Sequence, residues 1–298
     1  MVKNPSKVRN KVKRAELYAK YKQQKSKVKK TAKEERKKIA EELGDLAPPK
    51  PVPKTIENTR IADETAVQAN DEEILGDERD DEFAPYYTQG KKPKIMLTTR
   101  PKCSRKLYDF IGDLMQMIPN STYYPRGTLT VAQLQDYALS KDFTHLVILL
   151  EKEKVCNGML ISHLPIGPTA FFRVSSFQPG SKIPGHGRPT SHIPELILNN
   201  FTTRIGRRTG RFLGSLFPHD PQLEGRQVVT FHNQRDFIFI RHHRYVYRQE
   251  KEKVRARLQE LGPRFTLKMK WLQEGTFNTK FGEYEWFYRR KTMDTDRK

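Results

Sequence analysis

The chain is divided by charge into three stretches, and only the last has the apolar content to fold around a core. Residues 1–38 carry sixteen Lys and Arg against Glu16, Glu34 and Glu35, a net of +13. Their few apolar residues (Val8, Val12, Ala15, Leu17 and Ala19) make a narrow stripe. Isolated helices gain most of their stability by packing an apolar face, so this arm is expected as a nascent helix that orders on a polyanion. Residues 39–90 reverse the sign, with four basic against fourteen acidic residues and a stiff spacer, APPKPVPK, at 47–54. The acidic cluster from Asp71-Glu72-Glu73 to Asp80-Asp81-Glu82 fits a mask for the protein's own basic surface, a site for a basic partner, or a solubilising tether. Residues 91–298 return to thirty-six basic against eighteen acidic, so the folding part is basic in its own right.

The total of +21 argues for a polyanionic partner, either nucleic acid or an acidic membrane surface. Hydrophobic content of 36% lies below the ~45–50% of an ordinary globular domain, which fits a chain with extended parts. No stretch approaches the ~18–20 apolar residues needed to span a bilayer, and the N-terminus has no hydrophobic run to act as a secretory signal. A soluble, non-secreted protein is therefore expected. Cys103 and Cys156 are the only cysteines. Two thiols exclude a disulfide framework and a zinc ribbon and suit a reducing nuclear or cytoplasmic compartment.

Hydrophobic periodicity predicts an α/β domain. KIMLTT (94–99) and THLVILLE (144–151) read as buried strands around helices near 103–118 and 130–140, with Thr128 or Thr130 as the cap of the second. Further strands are expected at 158–164, 170–175 and through 226–248, with a helix at 194–216 between the two strand-rich parts. The loop PGSKIPGHGRP near residue 180 suggests two halves.

The motifs of a nucleotide fold, a metalloprotease and an esterase are absent: there is no GxGxxG, GxxxxGK[ST], HExxH, GxSxG or CxxC. His242 and His243 would alternate across a strand, a poor arrangement for two ligands of one metal. No catalytic residue, metal ligand or cofactor is assigned. The basic constellations are more specific. Arg204, Arg207, Arg208 and Arg211 fall on one helix face, with Phe201, Ile205, Phe212 and Leu216 on the next and Gly206, Gly210 and Gly214 as a third stripe. The glycines imply close approach of another backbone or of a sugar-phosphate chain, and the arginines are expected to be presented to RNA or a partner. In GPRFTLKMKWLQEGTF, strand alternation puts Phe265, Leu267, Met269 and Trp271 on a buried face and Arg264, Thr266, Lys268 and Lys270 on a cationic ribbon. Tyr245, Tyr247, Trp286, Phe287 and Tyr288 add aromatics near cations, the mix suited to stacked bases and neutralised phosphates.

Five blocks in order, LTTRPKCSRKLYDFIGDLMQMIPNSTYYPRG (97–127), HLPIGPTAFFRV (163–174), PELILNNFTTRIGRRTGRFLGSLFP (194–218), RDFIFIRHHRYVYR (235–248) and GPRFTLKMKWLQEGTF, resemble the Brix domain of eukaryotic ribosome-assembly factors. The last is similar to that family's sigma-70-like RNA-binding motif. The resemblance implies two α/β halves with mixed sheets, each like an anticodon-binding domain of class IIa aminoacyl-tRNA synthetases, and a non-enzymatic role in the nucleolus of the nucleus. It divides the chain into a basic arm at 1–45, an acidic linker at 46–92, a Brix domain at 93–280 (halves about 93–180 and 190–280) and a tail at 281–298.

The basic arm, acidic linker, short tail and HHRYVYR most resemble a member acting on the large-subunit precursor. Implied partners are precursor rRNA of that subunit, a dedicated smaller nucleolar assembly factor forming a heterodimer, other pre-60S factors and ribosomal proteins, with no membrane. RNA contacts are expected from Arg264, Thr266, Lys268 and Lys270, from Arg204, Arg207, Arg208 and Arg211, and from Lys11, Lys13 and Arg14 of the arm. The alternative is a protein-docking scaffold of a small-subunit precursor particle with little direct RNA binding.

Overall fold

Five consecutive buried residues, Ile95–Thr99, form the strand (β1) on which the first half of the fold is laid down. The structure, a computed structural model, describes residues 10–43, 52–59, 65–68, 71–250, 253–277 and 281–289. Residues 47–51 of the expected spacer, Lys251 and residues 290–298 lie outside them. The chain divides into two units, Met1–Ala62 and Asp63–Lys298.

The first unit contains α1 (Lys11–Leu43) and the single turn α2 (Ile56–Thr59). Asn10 caps α1, its Oδ1 accepting from the backbone N–H groups of Val12 at 3.0 Å and Lys13 at 3.2 Å.

The second unit opens with α3 (Glu72–Asp80) and α4 (Ala84–Thr88), followed by β1. Next, α5 (Arg105–Met117) buries Leu107, Phe110, Ile111, Leu114 and Met117 at helical spacing on one side of the sheet. The short β2 (Ser121–Tyr123) lies parallel to β1. Thr130 and Gln133 form a reciprocal capping box that starts α6 (Val131–Ser140). β3 (His145–Lys152) returns parallel to β1, and β4 (Val155–His163) and β5 (Thr169–Gln178) continue as an antiparallel meander.

The second half repeats this connectivity. β6 (Glu195–Asn199), α7 (Arg204–Gly214) and a parallel β7 (Gln227–Gln234) lead into antiparallel β8 (Phe237–Glu250). β9 (Lys253–Glu260) pairs only with β8, and β10 (Arg264–Gln273) then closes against both β8 and β5. β11 (Tyr284–Phe287) adds to the end of β10. All strands belong to one eleven-stranded mixed sheet, and the two halves meet where β5 and β10 run antiparallel along their length.

Three expectations need correction. The helix expected at 194–216 is a strand followed by a shorter helix: ELILN extends beside β7, Asn200 turns the chain at φ 64°, and Thr203 caps α7 by accepting from Gly206 N at 3.0 Å. The acidic linker expected to reach residue 92 is part of the fold from residue 71, because FAPYY follows the acidic run and Phe83 and Tyr86 are fully buried. Burying two such rings stabilises the fold by about 2–3 kcal/mol each. The tail expected from residue 281 contributes β11, whose Trp286 packs on the core.

The α7 arginine face fastens this acidic segment in place. Arg211 donates to both carboxylate oxygens of Asp81, at 2.5 and 2.7 Å, and to Glu78 O at 2.7 Å, with its guanidinium 4.5 Å from the Tyr87 ring centre. Arg208 donates to both carboxylate oxygens of Glu82, at 2.9 and 3.2 Å, and to both of Glu285 in β11 at 2.6 Å, so it ties the two ends of this unit together. Arg207 meets Glu78 at 2.8 Å, and the outermost residue, Arg204, reaches Glu73 and Asp77. Chain segments of this unit also fill the glycine stripe. A Cβ on Gly210 would lie 3.2 Å from the Phe201 ring, and one on Gly214 would collide with the Tyr87 hydroxyl, which donates to Arg211 O.

Beneath α4, Tyr86 OH lies 3.1 Å from His163 Nε2, and His163 Nδ1 lies 2.8 Å from Gly167 O, which assigns the ring proton to Nδ1. His145 bridges Thr144 and Ser215. Burial pushes both imidazoles below their ordinary range, and it pushes His242, under Gly262 on β8, down to about 4. The Cys156 thiol is pushed up to about 12 by burial and is inert packing.

Arg211→Ala is expected to cost about 3 kcal/mol, because it strands the Asp81 carboxylate at a site where both side chains are nearly buried. Arg204→Ala, on the solvated rim, should leave the thermal midpoint essentially unchanged. Equal losses would contradict the assignment of Arg211 as the main anchor of the acidic segment.

The histidines make a second prediction. His242 stays neutral in the folded protein while the unfolded chain protonates below its ordinary value of 6.5. Stability is therefore full above pH 6.5 and falls toward pH 4, by about 2 kcal/mol at pH 5 from His242 alone. Urea midpoints measured from pH 7.5 to 5 should fall, and His242→Gln should flatten the slope; a flat wild-type profile would refute this.

Candidate nucleic-acid interface

Alternation along the strands gives the sheet two unlike faces. One carries Ile95, Leu97, Phe172, Val174, Val229, Ile238, Ile240, Phe265 and Leu267 into the main core under α4, α5 and α7. On the other, α6 packs over Met96, Leu146 and Ile148 of β1 and β3. Among the described residues of this unit, no helix packs on that face over β5, β10, β8 and β7.

The cationic ribbon lies on this uncovered face, and the structure separates its members. Lys268 is directly opposite Arg173 of β5 in register. Two like charges so placed repel and destabilise the pair, and among the described residues neither has a carboxylate at ion-pair distance. Lys268 Nζ sits 4.7 Å from the Phe237 ring centre and 4.4 Å from that of Tyr288, whose hydroxyl it meets at 3.3 Å. Lys270 Nζ lies 3.9 Å from the Tyr288 ring centre. Aromatic faces hold the Lys268 ammonium group without neutralising it.

Arg264 is differently engaged: it forks onto the Glu260 carboxylate, which also lies 3.9 Å from Arg241. Thr266 is buried between Ser175 and Phe239, so it is no RNA contact. Arg207, Arg208 and Arg211 are likewise occupied by Glu78, Glu82, Glu285 and Asp81, and Arg204 by Glu73 and Asp77. The expectation that this helix presents its arginines is corrected, since the acidic run that precedes the core neutralises them.

Trp271 also departs from the expected alternation. A bulge sets two β10 residues, Lys270 and Trp271, against Phe171 alone, so Met269 faces the core while Trp271 turns to the uncovered face. There Trp271 meets Phe171 at 5.8 Å and Tyr284 at 5.7 Å between ring centres, and Tyr284 meets Phe287 at 6.1 Å. Tyr284 and Phe287 are 44% and 52% exposed, which gives a ring surface beside the lysines. Sequence reasoning missed Arg173, Arg241, Phe171 and Phe237 as part of this surface. The alternation of Phe172 and Val174 around Arg173 was the available signal, but the strand partner was not readable.

In α1, Lys11, Lys13 and Arg14 are exposed in the first turn, which has no acidic residue. Cations there oppose the positive end of the helix dipole, an arrangement that a bound anion relieves. Among the described residues there is no cluster of metal-binding side chains, and no helix is long and apolar enough to cross a membrane.

Comparison with known proteins places this geometry in a family. The Brix domain matches residues 100–271. Ribosome production factor 1 of Pongo abelii is 50% identical over 98% of this chain and 83% of its own length. The Saccharomyces cerevisiae protein of that name is 43% identical over 99% of this chain and 97% of its own. The crystal structure of a probable ribosomal biogenesis protein from Aeropyrum pernix K1 is 14% identical and covers 59% of this chain and 96% of its own, with a TM-score of 0.42. The match to most of the folded region, together with relatives similar along nearly the whole chain, shows that this chain belongs to the Brix domain family.

Proposed function

We propose that this protein is a ribosome biogenesis factor of the nucleus that binds precursor rRNA on the uncovered face of its sheet and supports assembly and rRNA processing of the large subunit in the nucleolus. The observation that carries RNA binding is the opposed pair Lys268 and Arg173, set beside the rings of Phe237, Tyr288 and Trp271. A phosphate between the two cations turns a repulsion into two attractions, and neighbouring bases stack on the rings. The names of the similar proteins support the assembly role. The basic α1 provides a second contact through Lys11, Lys13 and Arg14. A smaller nucleolar factor bound as a heterodimer, with other pre-60S factors and ribosomal proteins nearby, completes the proposal. The repeated strand connectivity supports reading each half as an anticodon-binding-like domain.

Lys268→Ala with Arg173→Ala is expected to weaken binding of the full chain to single-stranded RNA about tenfold, and to lower the slope of log affinity against log salt by about 1.5. The thermal midpoint should hold or rise, since a repulsion is removed. Unchanged affinity and slope would overturn the sheet-face assignment. Crosslinking and sequencing of bound RNA in cells should place reads in large-subunit precursor rRNA; reads confined to the small-subunit precursor would favour the docking-scaffold alternative.

A further inference from the structure

Helix α1 carries one four-residue pattern twice. Lys11-Val12-Lys13-Arg14 and Lys27-Val28-Lys29-Lys30 each set a valine between two lysines and follow with a further cation, and residues 15–26 separate them. Every residue of both tetrads is exposed, with Val12 and Val28 at 68% and 66%. Among the described residues, none of the six cations has a carboxylate at ion-pair distance; Lys37, beyond both tetrads, pairs with Glu41 at 3.5 Å. At ~100° per residue, the two lysines of a tetrad lie about 200° apart around the helix, and Lys11 and Lys27 about 160° apart. No single helix face presents both tetrads. In an extended chain successive side chains alternate, so the two lysines of each tetrad share one side and the valine takes the other. The repeat therefore has the period of an extended chain, although it lies in a helix.

That helix is weakly held. Among the described residues its unit contains only α1 and the single turn α2, and most helical stability in proteins comes from packing an apolar face. Lys11, Lys13 and Arg14 sit in the first turn, which has no acidic residue, while Glu41 and Glu42 sit in the last, which has no basic one. Both ends oppose the helix dipole. Lys25, Lys29, Lys33 and Lys37 form a column of like charges at four-residue spacing, which destabilises the helix further. Directly after the second tetrad, the Thr31 hydroxyl donates back to Lys27 O at 3.3 Å and Val28 O at 3.0 Å, a bond that competes with helical pairing. Opening α1 into an extended chain thus costs little.

We infer that the two tetrads are the halves of a bipartite nuclear-import signal, bound in extended form along the carboxylate-lined groove of an import receptor. Lys27, Lys29 and Lys30 enter one acidic pocket, Lys13 and Arg14 a second, and residues 15–26 span the groove between them. The inference rests on the nuclear role in the reading above and not on RNA binding. The pattern selects a receptor groove over RNA as the occupant. Phosphates take cations from any face of a helix and leave Val12 and Val28 in water, whereas a groove that reads an extended chain accounts for the period of two, for the valine in each tetrad and for the second copy. Extended, the twelve-residue spacer reaches about 40 Å, and joining two weak sites through a spacer that spans them raises affinity by effective concentration. Lys13 and Arg14 meet RNA only after the receptor releases them, so the two partners use these cations in succession.

The test measures binding of the full chain to the purified importin-α/β receptor by calorimetry, together with the initial rate at which the fluorescently tagged full chain enters nuclei of permeabilised cells. Lys27→Ala with Lys29→Ala and Lys30→Ala is expected to weaken receptor binding about a hundredfold and to abolish import, and Lys13→Ala with Arg14→Ala to weaken binding about tenfold. Lys20→Ala with Lys22→Ala removes two charges from the spacer and should change affinity less than about twofold. Gln23→Pro breaks the helix between the tetrads and should keep or raise receptor affinity. Loss of affinity in Gln23→Pro would show that the helix itself is recognised and would overturn the inference. Equal weakening by the spacer variant and by Lys13→Ala with Arg14→Ala would overturn it too, since total charge would then suffice. If the wild type enters nuclei and the tetrad variants keep receptor affinity and import rate while losing RNA affinity, the arm is an RNA contact only; the inference fails and the nuclear reading stands. If the wild type does not enter nuclei, both fail.

Discussion

The arginine face of α7 is satisfied from within the chain, and much of the architecture follows from that. A buried guanidinium without a partner is strongly destabilising, so the three inner arginines of this short helix, Arg207, Arg208 and Arg211, require carboxylates nearby. The run from Glu73 to Glu82 supplies most of them and Glu285 supplies another. Once the run is docked, Phe83 and Tyr86 enter the core directly behind it, where Phe83 lies 5.6 Å from Phe212 and Tyr86 bonds His163. An acidic segment and a basic helix, each soluble alone, become structural only together.

The same pairing decides where positive charge remains available. With α7 neutralised and Arg264 forked onto Glu260, the positive charge that the RNA-binding proposal uses lies on the uncovered face of the sheet, at Lys268 and Arg173, and along α1. On the sheet Lys268 sits beside the rings of Phe237 and Tyr288 rather than a carboxylate, so its charge is positioned without being cancelled. Such a surface binds phosphates by counterion release and bases by stacking, with affinity that depends on salt more than on sequence.

The fold was legible where local signals were strong. The strands at β1 and β3, the apolar face of α5 and the Thr130 cap of α6 follow from burial runs, helical spacing and a capping box. The site was legible only in part. Alternation put Lys268 on the face opposite the core, as its register beside Arg173 has it, but the bulge that turns Trp271 outward is set by pairing with Phe171, which no local pattern encodes. The role of the α7 arginines was misread for a similar reason. Their spacing identified a face, whereas the partner of that face lies more than a hundred residues earlier in the chain. Composition suggested a linker there because a charged run resembles a tether until a ring such as Phe83 is seen to be buried behind it.

The central claim is that RNA lies on the uncovered sheet face and not on the arginine helix. Photo-crosslinking of the full chain to thiouridine-substituted precursor rRNA, followed by mass spectrometry of the crosslinked peptides, tests it most directly. The account predicts adducts on peptides containing Arg173, Phe237, Lys268 and Tyr288, with peptides spanning Arg204–Gly214 unmodified. Adducts concentrated on Arg204–Gly214, with none on β5, β8 or β10, would contradict it.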